Sequence, residues 1–364
     1  MNDGNAAPLR VYGSDISYFT GKLEGYLRYK EIPYERIAIT RRYWERVIPR
    51  ETGVAQMPAV ELPDGRWMTD TTPMIDWLET QWPEPAVVPT DPLQSFVSRL
   101  LEDYADEWLW RPALHYRWSY RGDALLLSRR IVDEVLPDLP LPGAMKRWFI
   151  RLRQQRRYVR GDGVTDRTRS HVESIYLKTL AHLEAILATR PFVLGEVPTL
   201  ADFGFFASMF RHFGLDPTPS AIMRTRASAV WEWVARVWNA RASRTGGALS
   251  AGIPTEWGPV LDEIGEAYLP YLCANAEARK AKRRRFDVTI QGVVYEHLPT
   301  SRYRVWCLER LRSHFDALAD TPRREVRALL ERHACWEPLW RIADPSSGHD
   351  PDGRAPFARG INMF

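Results

Sequence analysis

Between Leu9 and Glu35 the chain changes its hydrophobic period twice, and this constrains the fold more than any other feature. Leu9-Arg10-Val11-Tyr12 is short and partly β-branched, and Gly13-Ser14-Asp15 closes it, as expected of a strand running into a loop. Leu23, Tyr26 and Leu27 then recur at helical spacing, so 21–30 reads as a helix. Ile32-Pro33 breaks it, and 34–39 reads as a second strand. Strand, helix and strand in this order predict a right-handed crossover between parallel strands. A third strand is expected over 57–62, a turn at Pro63-Asp64-Gly65-Arg66, and a fourth strand from Trp67-Met68. Thr71-Thr72-Pro73 supplies capping hydroxyls and a proline suited to a helix start, and Ile75, Leu78 and Trp82 continue on one face.

The proline-rich stretch 83–92 reads as a linker. Beyond it the pattern is helical almost throughout, with helices expected over 95–109, 124–136, 170–188, 199–213 and 227–240, and a stiff loop over 137–142. After about residue 250 come helices near 259–278 and 301–319, a small hairpin over 287–295, and an irregular tail after Ala343. A chain of 364 residues has the length of two or three domains.

Hydrophobic residues at 45% and charged residues at 26% are those of a globular protein. The net charge of +4 suits an anionic small molecule and does not itself call for nucleic acid. The basic runs 151–160 and 279–285 read as solvated helix faces, so neither nucleic acid nor a membrane is expected as a partner. Cys273, Cys307 and Cys335 have neither CxxC nor zinc-ligand spacing and read as buried thiols in a reducing compartment, without a metal. Met1-Asn2-Asp3-Gly4-Asn5 shows no basic-then-apolar leader, and no run reaches the roughly 18 apolar residues of a membrane span. A cytoplasmic location is the expectation.

Three segments carry a resemblance to one family. Leu9 to Glu35, with its Tyr-Gly-Ser loop, Ser17-Tyr18-Phe19-Thr20 and Lys22, is similar to the opening of a cytosolic glutathione transferase. Gln56-Met57-Pro58-Ala59-Val60 is similar to the segment before that family's third strand, which implies a cis bond at Pro58. Asp70-Thr71-Thr72-Pro73 resembles its acidic-hydroxyl motif at the next helix start. The resemblance covers roughly residues 9–250. It implies an α/β thioredoxin-like domain with a mixed sheet over 1–84 and an all-helical domain over 93–250, with a helical extension over 251–364. It further implies a homodimer, and glutathione as co-substrate for attack on a hydrophobic small-molecule electrophile.

The chemistry of such a site is thiolate formation, since the thiolate is the nucleophile. Ser17 stands just before the first helix, where backbone N–H groups and the helix dipole favour negative charge. A hydroxyl donated to sulfur also favours the charged form. Lowering a thiol pKa by about two units takes about 2.7 kcal/mol. The plainer role for Ser17 is to cap the helix. Tyr12 and Tyr18 are alternative donors, with Thr20 beside them. Phe19, Lys22 and Gln56 are expected around the bound tripeptide, the Met57 main chain beside its cysteinyl part, and Asp70 and Thr71 at its γ-glutamyl end.

In the helical part, Thr199 and Asp202 have the spacing of a capping box, a structural signal. Trp108, Arg111, His115 and Tyr116 come from an aromatic, charged stretch that the resemblance places at the electrophile pocket. The alternative is that these rings are core, the charges are paired, and His115 is a structural histidine.

Overall fold

A computed structural model describes residues 7–360 of the chain. The Met1–Asn5 segment, expected to hold no leader, lies outside the described residues. The first unit runs β1 (Leu9–Gly13), α1 (Tyr18–Tyr29), β2 (Tyr34–Ala38), a helical turn ending in α2 (Ile48–Thr52), β3 (Ala59–Glu61), β4 (Trp67–Thr69) and α3 (Thr71–Gln81). The sheet order is β2-β1-β3-β4, with β1 parallel to β2 and the other pairs antiparallel. Strand alternation sorts the side chains between two faces. Val11, Val60 and Met68 join the main core with Leu23, Leu27 and Ile75, whereas Tyr12 and Ala59 pack with Ile39 and Ile48.

The helical part follows as α4 (Pro92–Glu107), α5 (Trp110–Ser119), α6 (Arg121–Val135), α7 (Gly143–Gln154), α8 (Arg169–Leu187), α9 (Leu200–Ser208), α10 (Pro217–Arg226) and α11 (Ser228–Asn239). Helix α9 is apolar all round, as a central helix must be. It packs against both α1 and α4, burying Phe203, Phe205 and Phe206. Its approach to α4 requires Gly204, because a Cβ there would lie 2.8 Å from the Glu102 Cα. The capping box forms as the spacing predicts. Asp202 accepts the Thr199 N–H at 2.8 Å, and its other oxygen accepts from the Trp233 indole at 3.0 Å.

Beyond residue 250 lie α12 (Gly258–Glu263), α13 (Leu269–Lys280), β5 (Arg285–Ile290), β6 (Val293–Pro299), α14 (Arg302–Asp316), α15 (Asp320–Arg332) and α16 (Trp336–Trp340). The sequence expectation omitted several helices: α5, α10, α15 and α16 are found where none was assigned, and α7 overlaps the basic run 151–160, read as a helix face, only at its C-terminal end. The extension is not a separate body, since one apolar core runs continuously from Leu9 to Ile342. Its α14 and α15 pack on α4. A buried quartet fixes α14: Arg304 pairs with Glu107 at 3.2 Å and Asp162 at 3.7 Å, and Arg111 pairs with Asp162 at 3.2 Å. Asp76 of α3 holds both Arg99 of α4 at 2.8 Å and Arg310 of α14 at 2.5 Å. No helix among the described residues is long and apolar enough to cross a membrane.

Candidate functional site

Tyr12, Ala59 and Thr69 form one row across three strands. Just beyond that row the chain leaves the sheet at Gly13–Ser17, Met57–Pro58 and Asp70–Thr71, so register alone brings the three sequence motifs to one end of the sheet. Gly13 is required there, because a Cβ would meet Thr20 Cγ2 at 2.4 Å and block the first turn of α1.

Ser17 is the N-cap of α1, with an extended backbone at φ −87°, ψ 127°. Its half-buried Oγ accepts the Thr20 N–H at 3.3 Å. That bond uses a lone pair, and the hydroxyl hydrogen is left to be donated outward. Capping and donation are therefore compatible. Tyr12 and Tyr18 differ in this respect. The Tyr12 phenol donates to Glu61 Oε2 at 2.7 Å and stacks on Trp67, and burial raises its pKa. The Tyr18 phenol donates to the Ala105 carbonyl at 2.6 Å in the interior, where burial pushes it well above its ordinary value.

The Met57-Pro58 bond is cis, as the resemblance implies. Among the described residues the Met57 N–H and C=O have no hydrogen-bond partner within the protein, which leaves a strand-like edge for an extended ligand. Gln56 is half-buried beside it. Asp70 caps α3 at φ 72°, accepting from the Thr72 N–H at 3.4 Å. Thr71 begins that helix and is buried. Burial lifts the Asp70 carboxyl to about 7, against the opposing effects of Tyr303, Arg310 and Lys22. Its Oδ2 is buried without a partner.

The extension reaches this end of the sheet. The Tyr303 hydroxyl donates to Asp70 Oδ1 at 3.0 Å. The Thr69 N–H donates to the Pro356 carbonyl at 3.2 Å, and the Gly360 N–H to the Thr52 carbonyl at 2.7 Å. The tail thus covers the open edge of β4. On the other side, the Ser14 hydroxyl donates to Glu134 Oε2 of α6 at 2.6 Å. Neither neighbour was foreseen, because each contact joins segments more than 100 residues apart.

Lys22 is not at the ligand edge. It is fully buried, paired with Glu102 and Asp106 of α4, and bonded to Thr72 Oγ1 at 3.4 Å. Burial alone would lower its pKa, but the two carboxylates outweigh burial and raise it. Lys22 therefore ties α1 to α4 and α3.

The four expected pocket residues are also interior, which corrects that expectation in favour of its alternative. Trp108, Arg111, His115 and Tyr116 are each at most 2% exposed. Arg111 belongs to the buried quartet and lies over the Tyr271 and Tyr295 rings. His115 lies 3.0 Å from Glu173 and 2.8 Å from the Ser119 hydroxyl, and burial lowers its pKa despite Glu173. Tyr116 stacks on Tyr120, and Trp108 packs on Tyr271.

The half-buried ring near Ser17 is instead Trp110, stacked on Phe19 at 5.8 Å and edge-on to Tyr158. The chain breaks between α4 and α5 at Trp108–Leu109, so the helical phase that would separate Trp108 from Trp110 could not be read from spacing. Cys273, Cys307 and Cys335 are buried free thiols, as expected. Among the described residues no group of His, Cys, Asp and Glu is arranged to hold a metal ion.

With that geometry established, comparison with known proteins gives two matches to domain families. Residues 16–81 match the glutathione S-transferase N-terminal domain, and residues 164–236 match its C-terminal domain. No curated protein matches the chain. Among solved structures, the chain is similar to a glutathione S-transferase of Methylobacterium radiotolerans in complex with glutathione sulfonate. That match has 19% identity and a TM-score of 0.40, covering 67% of this chain and 97% of that one. A glutathione S-transferase of Rhodospirillum rubrum aligns at 18% identity and TM-score 0.43, covering 68% and 96% of the two chains. A beta-etherase of a Sphingobium strain aligns at 17% identity and TM-score 0.42, covering 64% and 95%.

Proposed function

Since the chain belongs to the glutathione S-transferase family by its N-terminal and C-terminal domains, we propose that it binds glutathione across the three motifs and activates its thiol through Ser17. The observation that carries this reading is the Ser17 hydroxyl. Of the four hydroxyls weighed, those of Tyr12 and Tyr18 are committed to protein acceptors and that of Thr20, though unpartnered, is fully buried; the half-buried Ser17 hydroxyl keeps its hydrogen to give, and it does so at a helix N-terminus. The cysteinyl part would pair with the Met57 main chain, and the γ-glutamyl end would meet Asp70 and Thr71. The thiolate would then attack a hydrophobic electrophile held against Phe19 and Trp110. Displacement of halide, opening of an epoxide, ether cleavage and addition to an activated alkene all use that nucleophile. We also propose a homodimer and a cytoplasmic location; sedimentation giving a monomer mass would reject the first.

The test is retention on immobilised glutathione together with thiol transfer. Ser17→Ala is expected to be retained nearly as well as the parent and to lose transfer. Undiminished turnover in that variant would remove Ser17 from the mechanism.

One contact favours a second reading, a glutathione-binding or protein-interacting member without turnover. Tyr303 occupies one oxygen of Asp70, the group proposed to meet the γ-glutamyl ammonium. Retention without transfer to any of the four electrophile types would select that reading.

A further inference from the structure

Helix α7 and the turn before it present an apolar face outward. Leu141, Met145, Trp148 and Phe149 are 46%, 44%, 57% and 56% exposed, whereas Lys146 and Ile150 are buried against the protein. The exposed residues recur at spacings of three and four, so they form one stripe. Lys146 is turned inward, its ammonium donating to the Leu136 carbonyl at 2.7 Å. The helix is therefore amphipathic in an unusual sense: one side is anchored to the core, and the opposite side is apolar and faces solvent. Solvent-facing rings of this size in a contiguous stripe indicate a contact surface.

The charge around the stripe is of one sign. From residue 139 to residue 161 there is no Asp or Glu, while Lys146, Arg147, Arg151, Arg153, Arg156, Arg157 and Arg160 fall within it. Among the described residues none of these arginines forms an ion pair with a carboxylate. Arg151 bonds the Ser128 hydroxyl at 3.2 Å, and Arg153 and Arg157 lie against the Tyr158 ring. A surface cavity of about 360 Å³ opens between Phe149, Leu152, Arg153, Arg156 and Arg157, with an apolar floor and a cationic rim.

We propose that α7 docks this protein on an anionic lipid surface, with Trp148 and Phe149 entering the acyl boundary and the arginines meeting headgroup phosphates. An apolar stripe flanked by Arg is the pattern of a helix lying in the plane of a membrane interface. Basic segments next to such a surface are drawn to its negative potential. A second copy of this chain is the wrong occupant, because facing α7 helices would bring two carboxylate-free arginine clusters together. Nucleic acid is disfavoured as well. Its backbone would satisfy the arginines and its bases could stack on Trp148 and Phe149, but the apolar Leu141 and Met145 at the other end of the stripe would stay in water. The exposed rings thus change the reading of 151–160 from a solvated face to one side of a docking surface.

The test is co-sedimentation of the whole protein with vesicles of phosphatidylcholine alone and of phosphatidylcholine with phosphatidylserine, at low and high salt. Binding is expected to the anionic vesicles, at least tenfold above that to the neutral ones, and to weaken as salt is raised. A Trp148→Glu, Phe149→Glu variant and an Arg153→Gln, Arg156→Gln, Arg157→Gln variant should each lose about tenfold or more. Both should keep retention on immobilised glutathione, which shows that they are folded. No binding to anionic vesicles at low salt would overturn the proposal. So would equal binding to both vesicle types, tighter binding to single-stranded RNA than to vesicles, or a fall in sedimenting mass in the Trp148→Glu, Phe149→Glu variant without lipid.

Discussion

Two helix N-termini open at the same end of the sheet, and the protein treats them differently. At α1, Ser17 caps its helix and keeps a hydroxyl hydrogen to give. At α3, Asp70 caps its helix, is half-buried, and already receives a hydroxyl from Tyr303. The first mouth is left chemically available and the second is covered by a segment that begins more than 200 residues later. The difference teaches that the extension bears on the end that would anchor the tripeptide, and leaves alone the end that would activate its sulfur. Affinity and chemistry are then separable by mutation.

The largest expected effect comes from detaching the cover. Arg304→Ala leaves Glu107 and Asp162 with less compensation in the interior, and breaking a buried pair this way costs about 3–5 kcal/mol. Denaturant unfolding should show a lower midpoint. If the extension obstructs the α3 mouth, the variant that remains folded should also bind glutathione more tightly.

Next comes Ser17→Ala, which acts on the open mouth. Removing one preorganised donor to a developing anion typically costs a factor of about 10²–10³ in turnover. The cap is lost as well, at about 1 kcal/mol of stability. Turnover and thermal midpoint measured on the same preparation separate the two effects.

Tyr303→Phe removes only the hydroxyl at the covered mouth. A net hydrogen bond is worth about 1 kcal/mol, so glutathione affinity read by calorimetry should rise a few-fold. A fall in affinity would instead make Tyr303 part of the binding surface.

The smallest effect is a pH dependence. The Asp70 carboxyl sits at about 7 in the folded protein, above its ordinary value of 3.8. The folded state therefore holds a proton that the unfolded state has lost between about pH 4 and 7. Stability from this group is intact below that window, falls as pH rises through it, and is lowest above about 7. Asp70→Asn still caps the helix but cannot ionise. It should match the parent near pH 4 and exceed it at pH 8 by about 1 kcal/mol, roughly 2–4 °C, allowing for solvent at this half-buried group.

The parts legible in sequence are those set by local chemistry. Strand alternation around Val11 and Val60, the Met57-Pro58 segment, the caps at Ser17, Asp70 and Thr199, and the burial of the three cysteines needed no distant information. What failed was set by distance. Lys22 looks like a cation near a binding loop until α4, some 80 residues on, brings Glu102 and Asp106 to it. Arg111 looks like an anion receptor until Asp162 is folded beside it. Trp108 and Trp110 cannot be told apart by spacing because a helix ends between them. Helix α7 was hidden by the prolines before it and by a charge run that reads as solvated whether or not rings share its face.

The most direct test of the account is a spectroscopic titration of glutathione bound to the parent protein and to Ser17→Ala. The account predicts a bound thiol ionising about two units below the free thiol in the parent, and near the free value in the variant. An equal depression in both proteins, or no bound glutathione in the parent, would contradict it.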